Sequence, residues 1–168
     1  ALSQPTRQHA LPPRIFPEYL PGPGGYAPIG ILPRAGEEMP VGLTKVEIGV
    51  PRVGVNCAFC HTATVRATPS DAPTFYPGAP AHQTGPQEYR RFLAASAADP
   101  RFTAGNILGE IARNVRLSLP DRLLYRFILI PETRRALRRL AEEEPATRAA
   151  WGRGRADLVS RATFALLQ

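Results

Sequence analysis

Lysine, methionine and tryptophan occur once each, as Lys45, Met39 and Trp151, and cysteine occurs only twice in 168 residues. Three histidines, His9, His61 and His82, complete the sulfur and imidazole inventory. With no second Cys or His pair at zinc spacing, a four-ligand zinc site is disfavoured. No stretch approaches the ~18 uncharged apolar residues of a membrane-spanning helix. The longest candidate, Phe127-Ile128-Leu129-Ile130, lies between Arg126 and Pro131. There is no internal repeat and no low-complexity run. The prolines and glycines are plentiful, 19 and 14, but have no period, which excludes collagen and argues against a compact, all-regular fold.

What is abundant is arginine. Twenty of the 21 basic residues are arginines, and the net charge is +7. From Arg101 onward there are thirteen arginines against seven acids, so +6 of the +7 lies in this last part. Such an excess attracts nucleic acid, an anionic lipid surface or an acidic protein, and it also occurs on solvated helix faces.

The chain changes character near its middle. Residues 1–56 hold ten prolines and eight glycines with no sustained helical period. Ile15, Phe16, Tyr19, Tyr26, Ile29, Ile31 and Leu32 are too apolar for a solvated tail, so this part reads as an arm wrapped over something. Leu43–Val50 alternates loosely and predicts one short strand. Further on, Gln87–Ala98 predicts a helix with Tyr89, Phe92, Leu93 and Ser96 inward, stopped by Asp99-Pro100. Thr103 caps a second helix bearing Ile107, Leu108, Ile111 and Val115. A third follows Pro120, with Leu123, Leu124, Phe127 and Ile128 on its buried side. Pro131 opens a fourth over Glu132–Glu144, and a last one covers Ala156–Leu167.

The sharpest signal is Asn56-Cys57-Ala58-Phe59-Cys60-His61. It uses both cysteines in a C-x-x-C-H spacing, the pattern of covalent haem attachment. Two thiols add to the two vinyl groups of one haem, and the adjacent imidazole becomes an axial ligand of its iron. A redox dithiol would sit between a strand and a long helix, whereas a proline-rich arm precedes this pair. A disulfide closing so short a ring would contribute little stability. Haem c bound through Cys57 and Cys60, with His61 on the iron, is therefore the expectation. The opposite axial position is open to His82, to Met39, to His9, or to water. Arg52 and Arg66 flank the motif as candidate partners for the haem propionates. Phe59, Phe75, Tyr76 and Trp151 are candidates to pack on the porphyrin.

The segments Val55–His61, Pro77-Gly78-Ala79-Pro80-Ala81-His82-Gln83, Ala97–Phe102 and Trp151-Gly152-Arg153-Gly154-Arg155-Ala156-Asp157 resemble, in that order, the first haem half of the RoxA-like di-haem c-type cytochromes. That group includes rubber oxygenases and is related to the bacterial di-haem cytochrome c peroxidases. The resemblance covers residues 40–160. It implies a helical cytochrome c core with extensive loops, a periplasmic or secreted location, and His61 as proximal ligand. It also implies a second haem domain after the Gly-Arg-Gly-Arg-Ala-Asp segment, yet no second C-x-x-C-H follows in this chain.

The expected fold is mainly α: a mono-haem cytochrome c-like domain over residues 51–168 behind a Pro/Gly-rich irregular arm over 1–50. The expected function is electron transfer in the periplasm by a c-type cytochrome, as a subunit of a larger redox complex. The alternative is the haem half of a split or cleaved di-haem peroxidase or oxygenase. The expected partner is a redox protein, such as a second haem-bearing chain, with no nucleic acid. The basic helices would dock an acidic partner, another subunit or an anionic lipid surface, giving peripheral contact with a membrane complex. The start Ala1-Leu2-Ser3, without a charged and apolar leader, reads as a processed mature protein.

Overall fold

A computed structural model describes residues 15–20, 25–48, 50–113, 115–143 and 152–154, excluding the side chains of 47, 48, 50–52 and 143. His9, Trp151, the helix expected over Ala156–Leu167 and the side chain of Arg52 lie outside the described residues. Two compact units emerge: one contains Tyr26–Pro86 and residues 152–154, the other residues 15–20 and 25 with those from Gln87 to Glu143.

The first unit is built on two antiparallel hairpins. Strands β1 (Leu43–Ile48) and β2 (Val50–Val55) pair with Leu43 opposite Val55 and Ile48 opposite Val50. Strands β3 (Thr62–Val65) and β4 (Thr74–Pro77) pair with Thr62 opposite Pro77 and Val65 opposite Thr74. β-Branched and aromatic side chains favour these pleated segments. Pro77 is tolerated because it is the last residue of its strand, where a missing amide donor costs least.

Tyr26, Ile29, Ile31, Leu43, Phe59 and Ala81 form the buried apolar set of this unit. Ile29 ends a 3-10 turn, Ala27–Ile29, closed by Gly30 at φ +77°. A Cβ at Gly30 would stand 1.8 Å from the carbonyl oxygen of Gln83, so only glycine fits there. The backbone around it is tied by Gly85 N–H to Ile29 O and by Gly154 N–H to Thr84 O, both at 2.9 Å.

The second unit is helical, with α1 (Pro86–Ala98), α2 (Ala104–Ala112), α3 (Leu119–Leu124) and α4 (Ile130–Glu143). Thr103 caps α2 through its hydroxyl, which accepts from Asn106 N. In α1, Phe92 and Ser96 are buried, Tyr89 and Leu93 only half-buried. Phe16 stacks between Tyr19 and Phe102, both ring centroids at 6.1 Å. The buried carboxylate of Asp99 accepts from Tyr19 OH at 2.7 Å and from Arg101 Nε at 3.0 Å. Arg134 donates to the carbonyls of Ala97 and Asp99 at the end of α1.

Two expectations change here. Among the described residues the first unit has four strands rather than one, so the fold is mixed α/β rather than mainly α. The third and fourth helices are not separated by Pro131. A π-helical turn, Tyr125–Leu129, joins α3 to α4, with Ile130 N–H donating to Tyr125 O. A proline ring would clash with the carbonyl four residues back in an α-helix, and widening the preceding turn relieves that clash. The buried side expected of the third helix is also revised: Leu123, Phe127 and Ile128 are exposed, while Leu124 is half-buried. Val115, assigned to the second helix, lies beyond its end and is exposed.

Candidate functional site

The two cysteines lie between the hairpins. β2 runs directly into Asn56, whose amide donates to Gly42 O at 3.0 Å and whose side-chain oxygen accepts from Ala58 N at 2.9 Å. This cap starts a 3-10 turn, Cys57–Phe59. Within it Cys60 N–H and His61 N–H both donate to Cys57 O, at 3.2 and 2.9 Å. One tight turn thus carries both thiols, neither of them in a disulfide: Cys57 exposed, Cys60 half-buried. His61 is exposed.

Beneath the turn the packing is close. Phe59 is buried, and Gly42 approaches it with φ +91°. A Cβ on Gly42 would fall 2.4 Å from Phe59 Cα, so the turn can sit where it does only over a glycine. Phe59 therefore lies in the protein core, supporting the turn from below.

After the motif the chain returns alongside it. Gly78 N–H donates to His61 O at 2.7 Å and Ala81 N–H to Cys60 O at 2.9 Å, extending the β3–β4 ladder back to the thiol turn. His82, next in sequence, is exposed. Gln83 Nε2 donates to Thr62 O at 3.2 Å. The buried oxygens Thr62 Oγ1 and Gln83 Oε1 have no hydrogen-bond partner among the described residues.

The structure brings Cys57, Cys60, His61, Phe59 and His82 into one continuous backbone arrangement. Arg66 lies just past β3, exposed, with one guanidinium nitrogen 3.4 Å from Pro69 O in its own turn. Arg52 belongs to β2 by its backbone, opposite Val46. Met39 is half-buried in the loop before Gly42, Phe75 half-buried and Tyr76 exposed on β4. Among the described residues, no three His, Cys, Asp or Glu side chains converge to hold a metal ion by themselves.

The sequence reading named Tyr76 but missed the apolar side chains of Val53, Val55 and Val65 that flank the motif with it. All four are at least half exposed. Val53 and Val55 share one face of β2, just before Cys57. Val65 and Tyr76 are diagonal neighbours on one face of the β3–β4 hairpin, just after His61. The alternation in Arg52-Val53-Gly54-Val55 was the available signal.

The donor set fits a covalently held haem: two thiols on one turn and in no disulfide, an exposed imidazole next to them, and exposed apolar side chains on the strands either side. Comparison of the chain with protein-family models, with curated proteins and with solved structures finds no match in any of the three.

Proposed function

We propose that the first unit binds one haem c through Cys57 and Cys60, and that the protein is a c-type cytochrome transferring electrons outside the cytoplasm. The observation that carries this reading is the turn itself. It presents two thiols outside any disulfide and the following imidazole together, in the order that covalent haem attachment uses.

Cys57 and Cys60 would hold the group by adding S–H across its two vinyl double bonds, the hydrogen going to the neighbouring carbon and nothing leaving. In this reading His61 would supply an imidazole nitrogen to the iron, and His82 would be the second ligand. Its support is the bond from Ala81 N–H to Cys60 O, which keeps His82 beside the motif's backbone. Val53, Val55, Val65 and Tyr76 provide apolar surface that a bound macrocycle would cover, lowering the cost of their exposure. Arg66, and Arg52 by its place in β2, are the cations assigned to the propionates. Bound haem supplies the one-electron Fe(III)/Fe(II) couple. Buried Phe59, packed against Gly42, supports the turn that carries Cys57, Cys60 and His61.

Haem c is attached after export, so this reading places the protein in the periplasm or outside the cell. Its partner is a redox protein, such as a second haem-bearing chain. The cytochrome c-like character of the fold belongs to the same proposal. A visible spectrum of the reduced protein tests it: a c-type α-band and no change with carbon monoxide are expected. Ready binding of carbon monoxide would point instead to an open iron and the peroxidase or oxygenase alternative. No haem band after expression with a haem-attachment system would remove both.

A further inference from the structure

The helical unit carries a second apolar surface. Along Leu119–Ile130, half-buried Leu124, Tyr125 and Leu129 and buried Ile130 account for the packing side. On the other side, Leu119 is 71% exposed, Leu123 49%, Phe127 67% and Ile128 53%. Leu119, Leu123 and Phe127 follow one another at four-residue intervals, which puts them on one face of a helix. The π-helical turn from Tyr125 to Leu129 adds a residue to its turn, which keeps Phe127 nearer to Leu123's direction than an α-helical turn would. A soluble surface seldom leaves so many large side chains together in water without a purpose.

The charges beside this stripe have one predominant sign. Arg116, Arg122 and Arg126 accompany it, all exposed, with Asp121 the one acid between Arg113 and Pro131. Asp121 is already engaged at the start of α3, where Ser118 Oγ lies 2.5 Å from its Oδ2. Arg116 and Arg122 have no carboxylate partner among the described residues, and Arg126 lies over the Phe127 ring, 5.8 Å from its centroid. Guanidinium groups match phosphate oxygens two at a time, and their stems lie along apolar surface while the heads stay wet. No helix of the described residues is long and apolar enough to cross a membrane. A short helical face with leucines and phenylalanine outward and arginines alongside instead suits the plane of the headgroup region.

We propose that the Leu119, Leu123, Phe127 and Ile128 face docks on an anionic phospholipid surface, with Arg116, Arg122 and Arg126 among the headgroup phosphates. The test is cosedimentation of the full chain with vesicles of phosphatidylcholine and phosphatidylglycerol, against phosphatidylcholine alone, at low and raised salt. Binding to the anionic vesicles only, weakened by salt, is expected. Leu123→Ser with Phe127→Ser should weaken it more than about tenfold without adding charge. Arg122→Gln with Arg126→Gln should weaken it by about thirtyfold at low salt. Unchanged circular dichroism and melting temperature certify that each variant is folded. No binding by the unaltered chain, equal binding to both vesicle types, or full binding by either double variant overturns the proposal. So does a dimer that dissociates on Leu123→Ser and Phe127→Ser, because a second copy would then be what covers the face.

Discussion

The amide of Ala81 donates to the carbonyl of Cys60 at 2.9 Å, joining positions 21 apart in sequence and holding His82 one residue from the thiol turn's backbone. With Gly78 N–H on His61 O, it makes the segment from Gly78 to His82 a continuation of the motif rather than a loose loop. Histidine at 82 is on this account an iron ligand. His82→Ala should leave covalent attachment intact while opening one axial position. The measurement is carbon monoxide binding to the reduced protein, negligible before the substitution and ready after it. Identical behaviour of the two proteins would remove His82 from the iron without touching the thioether assignment.

Gly42 and Phe59 make the second prediction. Gly42→Ala forces a Cβ against the Phe59 backbone at a positive φ, where strain of order 1–3 kcal/mol is typical even without a clash. Phe59→Ala should cost about 3–5 kcal/mol through loss of a buried aromatic and the cavity left behind. Both are read from thermal melts of the haem-free chain. Both should also lower the yield of haem-loaded protein. Full stability of Gly42→Ala would show that the turn does not sit over Gly42 as described.

The third prediction concerns pH. Tyr19 donates its hydroxyl to Asp99 Oδ2, and that hydrogen bond, then desolvation and the Asp99 charge, raise its pKa above the ordinary 10.0. A group whose folded pKa is raised stabilises the fold below its unfolded pKa and loses that contribution as pH rises through the folded value. Stability should therefore fall on the alkaline side of pH 10.0, and Tyr19→Phe should remove Tyr19's share of that fall. Denaturant midpoints of the two proteins across that range are the check. Identical alkaline slopes would mean the bond to Asp99 is not formed in solution.

The fourth prediction is the stability of the carboxylate itself. Asp99 is buried and is also held by Arg101 through the backbone amide and the guanidinium. Asp99→Ala should cost about 1.5–3 kcal/mol, the range for hydrogen bonds to a charged group, read as a shift in the denaturant midpoint. A change within experimental scatter would show that water replaces the carboxylate without loss.

Some of this was legible in the sequence because the determinants are local. Thr103 caps the helix it was expected to cap, and Asp99-Pro100 ends α1 where a turn residue and a proline should. Cys57, Cys60 and His61 announce themselves by spacing alone. Phe16, Tyr26, Ile29 and Ile31 are buried, as their apolar character in a Pro/Gly-rich arm demanded. The hairpin β3–β4 was not legible, because four-residue strands such as Thr62–Val65 are too short to establish a period. The stretch Leu119–Ile130 was misjudged for a different reason. It has apolar residues on two faces, and only packing decides which face is covered. Pro131 lies in the first turn of α4, as its place in the sequence implies, but the sequence does not announce the π-helical turn that makes α3 and α4 continuous.

The central claim is tested most directly by the intact mass of the full chain produced in a host that attaches haem outside its cytoplasm. Because thiol addition to a vinyl group loses no atoms, the account predicts a polypeptide heavier by one whole haem, and Cys57→Ser with Cys60→Ser should return it to the bare mass. A chain that is unmodified, or two hydrogens lighter as a Cys57–Cys60 disulfide, would contradict it.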